Sequence, residues 1–367
     1  GTSVGLFIRR QGKLKRSRHW VLGLRAIYAL FVDREDRLNI AAGPYGWWRK
    51  DSARQAKRLN RQFIGCFRQS GDRLRGVIPG GDCGQPTAPP ASGLPSAHVS
   101  MLAVHRGVLF VGHFDKGLAR YQTKHQFRLL DDSPRFINAL VSDGHTLWIG
   151  TARGLFKTRD GQQITRARLR LPSDHINGLA RAPDGTIWVA TSRGIVGIHG
   201  RGIRLIGLQQ GLPSTIVYAV AVDQRGRLWA GTDRGVSLFE PSGTKTFTQL
   251  QGSLPHDWVT ALRADGDCVW VGTYDAGIVR LCAVGPSQAL LGGRRVWVNP
   301  HGLIPWDQEV LVATLGDGLL RVGHHRRVEP VRGLPSDDVT AVVHAHGRVW
   351  IGTRGGLVSR PELRLNN

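Results

Sequence analysis

Leu147–Thr151 reads LWIGT, and the same five-residue shape returns six more times along the chain. It is LFVGH at 109–113, IWVAT at 187–191, LWAGT at 228–232, VWVGT at 269–273, VLVAT at 310–314 and VWIGT at 349–353. The intervals are 38, 40, 41, 41, 41 and 39 residues. So regular a period means one supersecondary unit repeated many times.

Each unit is written in the same order. A loop of the type GLPS (93–96, 211–214, 333–336; LPS at 171–173, LPH at 254–256) precedes an alternating apolar run such as INGLAR or VTALRA. Alternation of that kind is a half-buried strand, A. Asp184-Gly185 and Asp265-Gly266 then supply the residues a tight hairpin needs. The LWIGT-like segment is strand B, a short turn leads to strand C such as GLFKT, and a more variable strand D closes the unit. Four antiparallel strands in about 40 residues make one blade of a β-propeller. A lone blade cannot bury both faces, so blades stack in a ring. The strand-B tryptophans (Trp148, Trp188, Trp229, Trp270, Trp350) are then expected between them as core.

The reading is an all-β protein in which residues 1–367 form a single β-propeller domain of four-stranded antiparallel blades. Strands of type A begin near residues 26, 98, 136, 175, 216, 258, 299 and 338, so eight blades are expected, with seven or nine as alternatives. The first blade covers 26–80: AIYALFV (26–32) is A, RLNIAA (37–42) is B, and 64–77 is a C–D hairpin. A basic insert at 43–62 separates B from C, and 93–360 holds seven regular blades. The start, GTSVGLF (1–7), copies GTARGLF (150–156) without a strand before it. Residues 1–20 are therefore expected to complete the last blade by pairing of N- and C-terminal segments, since an open sheet edge is a liability.

The unit V-x-x-L-x-x-D-x-x-G-x-L-W-I-G-T-x-x-G-L followed by GLPS resembles the repeat of the two-component regulator propellers. The likeness is close over 93–360 and loose over 1–92. It implies a bacterial propeller, periplasmic or extracellular, that binds a ligand or partner. The kinase segment and second ring of the hybrid sensor kinases are not in this chain, so a signalling output is not implied.

Charge adds a second clue. The chain carries 50 Lys and Arg against 27 Asp and Glu, a net of +23. Residues 1–92 hold 18 against 6, so a quarter of the chain carries half the excess. Such a field attracts an anionic ligand or an acidic protein surface; it also serves solubility. Nucleic acid is not the expected partner, because no stacking aromatics repeat around the channel. No run of 18 apolar residues exists, so no membrane span is expected. Met101 is the only methionine, which is read as a removed leader or a fragment.

Four cysteines offer two local pairs. Cys268 and Cys282 flank VWVGTYDAGIVRL, a hairpin that sets them opposite each other, and Cys66 and Cys83 bracket the first C–D hairpin. Even, local pairing favours disulfides and an oxidising compartment, with free thiols as the other reading.

Two candidate binding regions emerge. In a propeller the B–C turns and D–A loops share one face around the channel. Here Lys116, Arg153, Arg193 and Arg234 recur just before the turn glycine, interleaved with Asp115, Asp233, Asp275 and Asp317, and joined by Tyr274. The D–A loops add His98, His175, Asp257, Trp258 and Asp338. Together they read as a polar socket for an anionic or sugar-like ligand, to which arginine offers bidentate contacts, or as solvated turn chemistry. The insert is the other region. Trp47, Trp48 and Arg49 lead into DSARQAKRLNRQF, read as a short basic helix capped by Asp51 or Ser52 and displaying Lys57, Arg58 and Arg61 to a partner. No nucleophile elbow, phosphate loop or metal-ligand spacing occurs, so no catalytic residue, metal or cofactor is expected. Three functions follow: a non-enzymatic binding or scaffold propeller, an accessory subunit of a larger assembly, and a propeller lyase acting on an acidic polysaccharide or lactone.

Overall fold

The computed structural model describes residues 93–361, apart from short breaks at 124–125, 285–287, 292–294, 307–308 and 324–327, and eight short strands between Phe7 and Val77. The chain separates into two compact units, residues 1–87 and 88–367.

Seven antiparallel sheets make up the second unit, each in the chain order A-B-C-D. Their A strands are Val99–His105, Ile137–Ser142, Ile176–Arg181, Val217–Val222, Val259–Asp265, Val298–Trp306 and Val339–Ala345. We number the blades one to seven from these. Blades one to six have four strands, and blade seven has three among the described residues. The fold is therefore a seven-bladed propeller, and the eight-blade count is corrected.

The blade interlock explains the repeat. The small residue of each LWIGT segment faces the first residue of the next A strand. A Cβ on Gly150 would lie 2.7 Å from Ile176, on Gly231 2.5 Å from Val259, and on Gly272 2.6 Å from Val298. The motif's aspartate works locally. Asp143 and Asp223 accept the amides of their own A–B turns and also the indole N–H of Trp148 and Trp229, both at 2.9 Å. The tryptophans are held as inter-blade core, as expected: Trp188, Trp229, Trp270 and Trp350 are at most 9% exposed. Trp148 packs at the edge of the core between blades two and three.

Blade seven closes directly on blade one. A Cβ on Gly352 would lie 2.5 Å from Val99, and Thr340 Oγ1 donates to the Val99 carbonyl at 2.9 Å. Trp350 meets Tyr121 of blade one edge-on at 5.3 Å. In the first unit Phe7–Arg10 pairs with Lys13–Arg16 in a local hairpin, a pairing whose short loop costs little closure entropy.

The first unit also departs from the expected plan. Ala29–Val32 and Leu38–Ala41 pair as A and B. The insert then continues the sheet: Trp47–Lys50 pairs with Leu38–Ala41, and Lys57–Asn60 pairs with Trp47–Lys50. The expected basic helix is thus a strand. A short isolated helix is marginal, whereas a tryptophan pair beside an open sheet edge gains ladder hydrogen bonds and suits a strand. Arg61 and the two expected caps lie outside the described residues. The hairpin expected at 64–77 forms, as Cys66–Ser70 paired with Arg73–Val77, but as a separate two-stranded sheet.

Cys268 and Cys282 are directly opposed on strands B and C of blade five and joined in a disulfide, with 4.2 Å between their Cα atoms. Cys83 lies outside the described residues.

Candidate functional site

The second residue of every A strand is extra to the ladder. In blades one to five and blade seven it is a single bulged residue: Ser100, Asn138, Asn177, Tyr218, Thr260 and Thr340. A bulge re-aims one side chain without shifting the rest of the strand. Here the re-aimed group latches the next blade. Asn138 donates to the Ile176 carbonyl at 2.8 Å, Asn177 to Val217 at 2.8 Å, Thr260 to Val298 at 2.6 Å and Asn299 to Val339 at 2.5 Å.

Blade six enlarges the device. Four residues, Asn299–Gly302, stand against Ala313 alone. His301 there has φ of +59°, and burial lowers its pKa, opposed by the backbone of Asn177 in blade three. This loop lies between two cavities. The upper one, of about 230 Å³, is lined by Ser100, Asn138, Asn177, Tyr218, Asn299 and Thr340, with Phe114, His175 and Arg354 at its mouth. The lower one, of about 840 Å³, follows the later halves of all seven A strands.

Two concentric rings surround the upper mouth. In six of the seven blades the residue after strand B hydrogen-bonds, through its amide, the carbonyl of the residue before strand A. The pairs are Phe114–His98, Ala152–Phe136, Ser192–His175, Tyr274–Trp258, Leu315–Trp297 and Arg354–Asp338, all at 3.0–3.2 Å. The strand-B threonine sets the turn beyond. Thr151, Thr191 and Thr232 accept the amides of Arg153, Arg193 and Arg234 at 3.0 Å, which leaves those three arginines exposed one step outside the mouth. Lys116 is exposed likewise.

The mouth is not uniform around the ring. Blades four to six carry an aromatic arc: Trp258 stacks on Tyr274 at 4.4 Å and 6°, Tyr274 meets Trp297 at 4.4 Å, and Tyr218 lies 5.7 Å from Trp258. Blades two to four carry the arginine rim, where Arg153 lies 5.5 Å over Phe136. At blades seven and one the charges compensate each other. Arg354 pairs with Asp338 at 2.7 Å, and Asn299 reaches the same carboxylate at 3.1 Å. Burial raises the Asp338 pKa, opposed by Arg354 and the Asn299 hydrogen bond. Burial lowers that of His98, with Asp115 opposing and Arg354 adding to the effect.

Of the residues expected from sequence, His175 lines the upper cavity. His98, Trp258 and Tyr274 sit on the two mouth rings, and Lys116, Arg153, Arg193 and Arg234 stand outside them. The asparagines, Tyr218 and Trp297 were missed. Their signal is a polar or aromatic residue locked to one step of the repeat, visible in INALV, INGLA and VNPHG. For the insert, Trp47, Trp48, Arg49, Lys57 and Arg58 lie on paired strands.

A ring of this kind, with polar and aromatic groups on turns and bulges at one end of a channel, defines a seven-bladed propeller. The family model of the two-component regulator propeller matches residues 170–193 and 211–234, so the chain carries that repeat in its third and fourth blades. Among solved structures it is similar to the extracellular domain of a hybrid two-component system of B. thetaiotaomicron, with 18% identity and a TM-score of 0.62 over 73% of this chain and 38% of that one. A second structure of the same extracellular domain, where the system is named a one-component system, shows 14% identity and a TM-score of 0.61 over 92% of this chain and 52% of that one. The chain thus spans about half or less of these relatives. A streptogramin B lyase is also similar, with 12% identity and a TM-score of 0.59 over 72% of this chain and 94% of the lyase. No curated protein sequence matches. These likenesses establish the propeller fold. Among the described residues no helix is long and apolar enough to cross a membrane.

Proposed function

We propose that the protein is a non-enzymatic binding propeller that works outside the cytoplasm and takes an anionic, ring-bearing ligand, such as an acidic saccharide, at the upper mouth. The observation carrying this reading is one juxtaposition. An exposed arginine rim (Arg153, Arg193, Arg234) adjoins an aromatic arc (Tyr218, Trp258, Tyr274, Trp297) around a cavity floored by asparagines. Arginine offers paired donors to a carboxylate, an aromatic face packs on a sugar ring, and asparagine amides reach hydroxyls. The extracytoplasmic setting draws on the extracellular domains among its structural relatives and on the Cys268–Cys282 bridge.

The test is titration of the purified chain with oligouronates and with neutral oligosaccharides of equal length. The acidic series should bind and the neutral series should bind at least tenfold more weakly. Reversing Arg153, Arg193 and Arg234 together, or Trp258→Ala alone, should each weaken the acidic series. Equal binding of both series, or wild-type binding by both variants, refutes the reading.

A second reading, membership of a larger assembly, is favoured by one feature. The outer strand of blade three, Gly202–Ile206, exposes Ile203 and Leu205 on a free edge, with Leu208 following. Exposed apolar edge strands pair with partners. The lyase alternative draws only on shared fold, which carries no activity with it.

A further inference from the structure

The lower cavity differs from the upper mouth in its charge. Arg181, Arg263, His301 and His344 line it, and among the described residues no carboxylate does. The nearby acids are committed elsewhere. Asp265 is paired with Arg280 at 2.6 Å, Asp223 with Arg227 at 2.7 Å, and Glu309 with Arg321. Asp143 is taken by Trp148 and its own turn. Arg181 and Arg263 are exposed, and partial burial still disfavours the charged form of Arg263. Two guanidinium groups in a walled space, with no carboxylate among its described lining residues, leave a positive potential that low-dielectric walls focus.

We propose that this lower cavity is a second binding site, entered from the face of the A–B turns, for a small polyanion bearing phosphate or carboxylate groups. Arg181 and Arg263 supply the paired donors. The volume of about 840 Å³ accommodates a metabolite-sized anion. The site is separate from the upper mouth, and it stands whether or not that mouth binds an acidic saccharide.

The experiment is calorimetric titration of the full chain, at pH 7 and constant ionic strength, with inorganic phosphate and with citrate as the two probes. Arg181→Gln and Arg263→Gln are compared with Arg204→Gln on the outer strand of blade three, and unfolding curves are recorded for each. At least one probe should bind the wild type. Its affinity should fall tenfold or more in Arg181→Gln and in Arg263→Gln and stay unchanged in Arg204→Gln. The stronger probe identifies phosphate or carboxylate as the recognised group. All three arginines are exposed, so the fold should survive each exchange and a loss of binding is interpretable. If neither probe binds, if both cavity variants bind like wild type, or if Arg204→Gln is the variant that loses binding, the proposal is wrong.

Discussion

Gly231 has no space for a side chain: a Cβ there would meet Val259 of the next blade at 2.5 Å. Gly231→Ala should therefore force the blades apart and cost about 1–3 kcal/mol by overpacking, read as a lowered denaturant midpoint. Gly144, in an A–B turn, has φ of +95° and open space around it, so its substitution tests backbone strain alone. Histidine supplies the second prediction at this scale. Burial lowers the pKa of both His113 and His301 to about 4, against about 6.5 when unfolded. The sign follows from proton uptake. Below pH 6.5 the unfolded chain binds protons that the folded ring refuses, so stability is full above 6.5 and falls as pH drops toward 4. His113 is completely buried and both its ring nitrogens lack partners. His113→Phe should flatten that part of the stability–pH curve, and an unchanged slope would show that the burial does not matter.

At the scale of elements, the bulge in strand A turns a repeated strand into a varied floor. Asn177 both latches blade four and lines the upper cavity. Asn177→Ala should cost about 1 kcal/mol of stability, the usual worth of one such hydrogen bond, and also weaken the acidic ligand. A stability loss without a binding loss would make the asparagine a latch only. The free edge of blade three gives a different expectation. Ile203→Lys with Leu205→Lys replaces exposed side chains and should leave folding within about 0.5 kcal/mol of wild type. It should abolish any association carried by that edge, measured by sedimentation at several concentrations.

For the whole molecule, ring closure is complete within residues 93–361. Val99 receives both the Gly352 contact and the Thr340 hydrogen bond. A chain of residues 88–367 should fold cooperatively with the near-native circular dichroism of a seven-bladed ring, and failure to fold would show that the first 87 residues are required. The net charge of +23 predicts that anion binding weakens with salt, because the screening length drops from about 10 Å at 0.1 M to about 3 Å at 1 M.

The blade, its four strands and its core were legible in the sequence because they obey short-range rules. Alternation marks strand A, Asp-Gly and the Gly after Thr mark turns, and Trp148 to Trp350 repeat at the blade period. The Cys268–Cys282 pair was equally local, since one hairpin aligns both residues. The number of blades was not legible. Ala29–Val32 reads like the other A strands in sequence, but it belongs to a sheet of the separate compact unit 1–87, and the grouping of strands into units depends on packing that the repeat pattern does not record. The site was half legible for the same reason. The turn arginines announce themselves by position beside a glycine, whereas Asn138, Asn177, Tyr218, His301 and Arg263 become neighbours only when seven strands converge on one axis. Residues some 40 to 160 positions apart in the chain then line the two cavities of one channel, and only the packed ring brings them together.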